Sequence, residues 1–148
     1  MGKFLKTAAL TATLIMASQP LLAAEHVIEM KNNGKDGIMV FEPGYVKAKV
    51  GDTVKFVPVD PAHNSHSVEV PDGANTWAGD IGQEVTVTLN KEGVYVYKCV
   101  PHAPLNMTGI IQVGKPTNMD AATKAVNTLT ENAATNKDRL KGYLSQVK

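Results

Sequence analysis

The sequence predicts a mainly β fold: an antiparallel sandwich or barrel of seven or eight short strands, followed by two C-terminal α-helices. Three observations carry this. Short apolar or β-branched runs recur from Glu25 to about Val113, and Gly, Pro, Asn or Asp stops each one. Strands at this spacing argue against an α/β sheet, which needs helices between them. Beyond Gly114 the composition turns to Ala, Lys, Asn and Leu, and the apolar period lengthens to that of a helix.

Residues 1–24 do not read as part of that fold. A short cationic start with Lys3 and Lys6 precedes a mostly apolar or small stretch from Thr7 to Ala17. Ser18-Gln19-Pro20-Leu21-Leu22-Ala23-Ala24 then resembles a helix-breaking cleavage region. This is the pattern of a secretory signal peptide, too short and wrongly flanked for a spanning helix. Cleavage is expected after Ala23 or Ala24, placing the mature chain in the periplasm with no membrane segment. About 124 of the 148 residues then remain, the size of one domain. Without Lys3 and Lys6 the 15 basic residues become 13, against 14 acidic ones. A near-neutral chain excludes a nucleic-acid binder, whose footprint is strongly basic.

In order, Val27 to Met30 leads to turn signals at Asn32-Asn33-Gly34 and Asp36-Gly37. Ile38 to Phe41 stops at Pro43-Gly44, and Tyr45 to Val50 alternates before Gly51-Asp52. Thr53 to Val59 is β-branched and ends as Pro58 and Pro61 close in. Ser67 to Val70 stops at Pro71-Asp72-Gly73. Val85 to Leu89 alternates cleanly, Val94 to Cys99 follows, and Thr108 to Val113 is last. Residues 25–114 thus form the β-domain, and 115–148 a helical extension packed on it. Helices are predicted over Thr117 to Leu129 and Asn136 to Val147, with Asn118 and Asn136 as N-caps. In the second, Leu140, Tyr143, Leu144 and Val147 make one apolar stripe, which requires a surface to cover it.

The chemistry concentrates in Cys99-Val100-Pro101-His102-Ala103-Pro104-Leu105-Asn106-Met107, which holds the only cysteine. One cysteine in an exported chain makes no internal disulfide, and metal ligation is a task for it. Singly, these residues have ordinary readings: a surface histidine, a small buried hydrophobe, a core-filling methionine. Thiolate, imidazole and thioether on one stiffened turn instead suit copper. A blue-copper site takes two histidines and one cysteine in a plane with a weak axial methionine, so one histidine is missing from this stretch. His63 stands where a strand ends among prolines, and can point inward under a loop. His66, three residues on, faces the other way on an extended chain, and His26 stands at the mature N-terminus.

Cys99-Val100-Pro101-His102 with Met107, and Ala62-His63-Asn64 upstream, resembles the cupredoxins, the type 1 blue copper proteins. Within them the chain is most like the pseudoazurins: Lys35 to Pro43, Pro71 to Ala74 and Gly93 to His102 carry that likeness, as do the two C-terminal helices. It departs at Ala103 and Leu105, where the family usually has an aromatic and a methionine. The resemblance implies a cupredoxin-like Greek-key β-sandwich and one type 1 copper ion held by His63, Cys99, His102 and Met107. The His63-Asn64-Ser65-His66 run is similar to that of amicyanin-like proteins, in which the first histidine binds, supporting His63 over His66.

The task expected from this is one-electron shuttling by a monomeric carrier that is not an enzyme. The resemblance implies transient partners such as a copper nitrite reductase or a cytochrome. Asn64 is expected to donate to the Cys99 sulfur and to tether the two ligand loops. Lys35 and Lys98 would steer acidic partners. Two rivals fit less well. A copper-delivery protein would cluster its methionines, yet Met30, Met39 and Met119 are scattered. A cysteine hydrolase on Cys99 and His102 lacks an orienting acid and an oxyanion hole.

Overall fold

The computed structural model describes residues 22–148. Of the leader read at residues 1–24, positions 1–21 lie outside the described residues. Eight strands follow among the described residues: β1 (Glu25–Gly34), β2 (Gly37–Glu42), β3 (Tyr45–Ala48), β4 (Thr53–Pro58), β5 (His66–Glu69), β6 (Val85–Thr88), β7 (Gly93–Lys98) and β8 (Thr108–Val113). Helices α1 (Met119–Asn132) and α2 (Arg139–Leu144) close the chain. The strands make two four-stranded sheets, ordered β2-β1-β4-β6 and β3-β8-β7-β5.

The sheets are mixed, where a purely antiparallel arrangement was expected. β1 runs parallel to β4, and β3 parallel to β8. Pro43-Gly44 carries the chain from β2 to β3 in the opposite sheet, and Gly51-Asp52 brings it back. A turn signal marks where a strand ends, but local chemistry cannot say which sheet the next strand joins. The first turn also differs. Asn32-Asn33 lies inside β1, and the hairpin closes at Lys35-Asp36 between the paired Gly34 and Gly37, a two-residue loop that fits the twist of the strands.

Period-two alternation along β7 accounts for the layering. Tyr95 and Tyr97 point between the sheets with Phe41, Phe56, Ile111 and Val113. Val94 and Val96 point the other way, onto Ala122, Val126, Leu140 and Tyr143 of the helices. β7 is thus buried on both faces, and reads as a continuous apolar run for that reason. Cys99 follows in the same phase as Tyr95 and Tyr97, so its sulfur is directed into the end of the sandwich. Edge-on rings of Phe41 and Phe56 lie 4.8 and 5.0 Å from Tyr97 and stiffen that end. A Cβ at Gly109 would collide with the Tyr97 ring, so glycine is required opposite it.

The apolar stripe of the C-terminal segment is covered as predicted: Leu140 and Tyr143 are buried, with Leu144 and Val147 beside them. The caps are used differently. Asn118 holds the N-cap position of α1 as predicted, but its side chain makes no capping bond; its Oδ1 accepts the Val94 N–H at 2.7 Å and its Nδ2 donates to the Val94 carbonyl at 2.9 Å. It serves as a short extra strand edge that docks the helix on β7. α2 begins at Arg139, three residues later than predicted, and Asn136 instead takes a left-handed turn with φ of 55°. No helix of the described residues is long and apolar enough to cross a membrane.

In the turn between β3 and β4, Asp52 gathers three donors. Its Oδ2 faces His26 Nε2 at 2.8 Å and accepts the Lys49 N–H at 3.0 Å, while Oδ1 accepts the Ala24 N–H at 2.9 Å. His26 first, then those two amides, pull its carboxyl from the ordinary 3.8 down to about 2. A carboxyl depressed by folding contributes stability above its ordinary value and loses it as pH falls through the folded one. Asp52→Asn is expected to lower the melting temperature at neutral pH. That deficit should shrink as the pH drops from 3.8 towards 2, and thermal melts showing a constant deficit would refute the assignment.

Candidate metal centre

His63 lies in the crossing between β4 and β5, fully buried. Pro58 and Pro61 end the ladder there, and Ala62 takes a left-handed conformation with φ of 68° that turns the next side chain inward. Cys99 follows β7 directly. Its N–H donates to the Met107 carbonyl at 2.9 Å, so the loop from 100 to 106 leaves and re-enters the sheet at one pair. Within the loop, His102 precedes a short 3-10 turn (Ala103–Leu105), and Asn106 ends it with φ of 55°. Met107 is fully buried immediately before β8, in the same cluster as Cys99.

Three donors converge. His63 Nδ1 lies 3.1 Å from His102 Nδ1, and Cys99 Sγ lies 3.8 Å and 3.5 Å from the two nitrogens. One ligand atom from each falls within 4.8 Å of the others. The remaining histidines stand elsewhere: His66 Nε2 contacts the Gly79 carbonyl at 3.1 Å, and His26 pairs with Asp52.

The surroundings prepare these atoms for a cation. His63 Nε2 donates to Asn32 Oδ1 at 2.9 Å, so the proton sits on the outer nitrogen and the lone pair of Nδ1 faces inward. Burial, and then the neighbouring His102 ring, lowers the His63 pKa, which keeps the imidazole neutral as a ligand must be. Burial pushes the Cys99 thiol up, opposed by the backbone N–H groups of Asn64 and His102 aimed at the sulfur. A metal taking this site therefore displaces the thiol proton. Two inward nitrogens and one soft sulfur in an apolar pocket fit copper better than a hard cation such as magnesium.

Asn64 divides its tasks. Its backbone N–H faces the sulfur, its Oδ1 accepts the Val100 N–H at 2.8 Å, and its Nδ2 donates to the Gly79 carbonyl at 3.1 Å. The side chain thus ties the His63 segment to the Cys99 loop, while the main chain serves the sulfur. Asn32 is absent from the expected set, because its place near Gly34 reads as a turn signal. Only the pairing of β1 beside β4 brings it under His63.

Residues 28–114 match the copper-binding proteins of the plastocyanin/azurin family. Among relatives, the pseudoazurin of Paracoccus pantotrophus is 40% identical over 121 residues, covering 80% of this chain and 83% of its own length. The pseudoazurin of Methylorubrum extorquens is 42% identical over 118 residues, 78% of this chain and 80% of that one. The crystal structure of native pseudoazurin from Hyphomicrobium denitrificans superposes with a TM-score of 0.71 at 41% identity, covering 84% of this chain and 98% of that chain. Two sheets, two C-terminal helices and a buried sulfur flanked by two imidazoles agree with that likeness, and the chain belongs to the copper-binding plastocyanin/azurin family.

Proposed function

We propose that this protein is a periplasmic one-electron carrier, and not an enzyme, with a single type 1 copper held by His63, Cys99, His102 and Met107. The observation that carries the reading is the convergence of Cys99 Sγ and two imidazole Nδ1 atoms within 4.8 Å at one end of a stiff sandwich. Copper supplies the one-electron couple. The chain's own residues keep the change of charge cheap. Cys99 gives a thiolate whose excess charge the Asn64 and His102 amides share. His63 is held by Asn32, and Met107 is fixed by the sheet pair it makes with Cys99. Groups that are already placed need little movement when the metal changes state.

The exit for the electron is the half-buried ring of His102. Around it stand Ala103 and the exposed Pro101, Pro104 and Val100, the last 44% exposed. A small apolar rim suits brief encounters that bury little area. A copper nitrite reductase or a cytochrome suits such a rim, with the carrier acting as a monomer. Lys35 is exposed and Lys98 half-buried, and both add modest steering towards acidic partners. Export rests on the leader pattern at residues 1–24, with the mature chain spanning the β-domain at 25–114 and its extension at 115–148.

Addition of Cu(II) to the purified apo-protein is the direct test. An intense visible band, small copper hyperfine splitting and a reversible one-electron wave are expected. A colourless complex with large splitting overturns the type 1 assignment. Rapid loss of the reduced metal to a chelator, without a reversible wave, would instead indicate a copper-delivery protein.

A further inference from the structure

The connection between α1 and α2, together with the first residue of α2, reaches the metal-binding loop. Three successive loop carbonyls are each met from it: Ala134 N–H donates to Pro104 at 2.8 Å, Asn136 Nδ2 to Leu105 at 3.0 Å, and Arg139 Nη1 to Asn106 at 3.1 Å. Asn106 returns the contact, its Nδ2 donating to the Asn136 carbonyl at 2.8 Å. Met107 is the next residue.

Arg139 does more than close that row. Its Nη1 also donates to the Met39 carbonyl at 2.8 Å, and its Nη2 to Ile38 at 2.9 Å and Asp36 at 3.2 Å. Among the described residues it makes no ion pair with a carboxylate. A planar guanidinium spends its fork wholly on main-chain oxygens of two segments, the β1–β2 hairpin and the metal loop. Lysine presents three donors at a single point and cannot span both.

We propose that Arg139 is a positioning residue for the metal centre: it splints the C-terminal end of the loop and sets where Met107 presents its sulfur. This rests on Met107 being a copper ligand, as read above. It assigns the helical extension a part in tuning the metal, beyond covering the outer face of β7.

The test pairs Arg139→Lys and Arg139→Gln with Tyr143→Phe as control. Tyr143 donates to Asp36 Oδ2 at 2.8 Å on the same helix, so its loss weakens docking of α2 without removing a bond to the loop. In apo-protein, amide exchange at Met107 is expected to rise about tenfold in both Arg139 variants, the scale of a lost charge-assisted hydrogen bond. With copper, the position and relative intensity of the visible absorption bands should change in both. Tyr143→Phe should lower the melting temperature and alter neither. If the Arg139 variants do not fold, Asn136→Gly decides alone: glycine tolerates that φ, and loss of the side chain should shift both readouts in the same direction. The proposal is overturned if folded variants keep wild-type exchange and bands, if exchange rises while the bands stay fixed, or if Tyr143→Phe shifts the bands equally. Exchange is read without metal, so a wild type that forms no blue site fails the copper reading and leaves the splint separately measured.

Discussion

Cys99→Ser is expected to fold, to bind Cu(II) weakly and to show no intense visible band. The hydroxyl is smaller than the thiol, and the Asn64 and His102 amides that face the sulfur would face an oxygen acceptor instead. The fold therefore loses little. A metal held as proposed would lose its one thiolate ligand, and a neutral hydroxyl holds Cu(I) poorly. The reversible wave should vanish with the colour. Visible and EPR spectra of the copper-treated variant check this, with circular dichroism confirming the fold. A variant that stays blue would remove the thiolate from the centre.

The second large effect concerns stability. Leu140 is fully buried between α2 and the outer face of β7 and β8, against Val96, Ile110 and Val126. Truncating such a side chain leaves a cavity that packed neighbours refill only in part. Leu140→Ala is expected to cost about 3 kcal/mol, or roughly 10 °C in melting temperature for a domain of this size. Because α2 carries Arg139, the metal loop should also loosen, with faster amide exchange at Asn106 and Met107 in the apo-protein. Calorimetry and exchange together check both parts. A drop of less than 1 kcal/mol would mean that the extension is not part of the cooperative unit.

The elements most legible in the chain are those whose physics is local. β7 is a β-branched and aromatic run, and its phase alone aims Cys99 inward. The Cys99-His102-Met107 spacing fits one turn between paired strands, and the pair between Cys99 and Met107 closes it. His63 was legible because prolines end the strand just before it. By contrast Asn118, Asn136 and Asn32 are all small polar residues near turns or helix starts, where capping or turning is the ordinary local use. Each instead bonds a main-chain or ring partner far away in sequence. No local rule ranks such partners, since an amide side chain accepts and donates equally well to many.

Local patterning by itself therefore determined a β-rich body with a helical end, and the donor types gathered on one turn. It could do so because strand phase, turn residues and ligand spacing act over a few neighbouring positions. Only the tertiary structure decided the parallel pairings, the Asn32 brace under His63 and the reach of Arg139 to the loop. Those depend on which strand returns to which sheet, a choice made by burial of whole faces together.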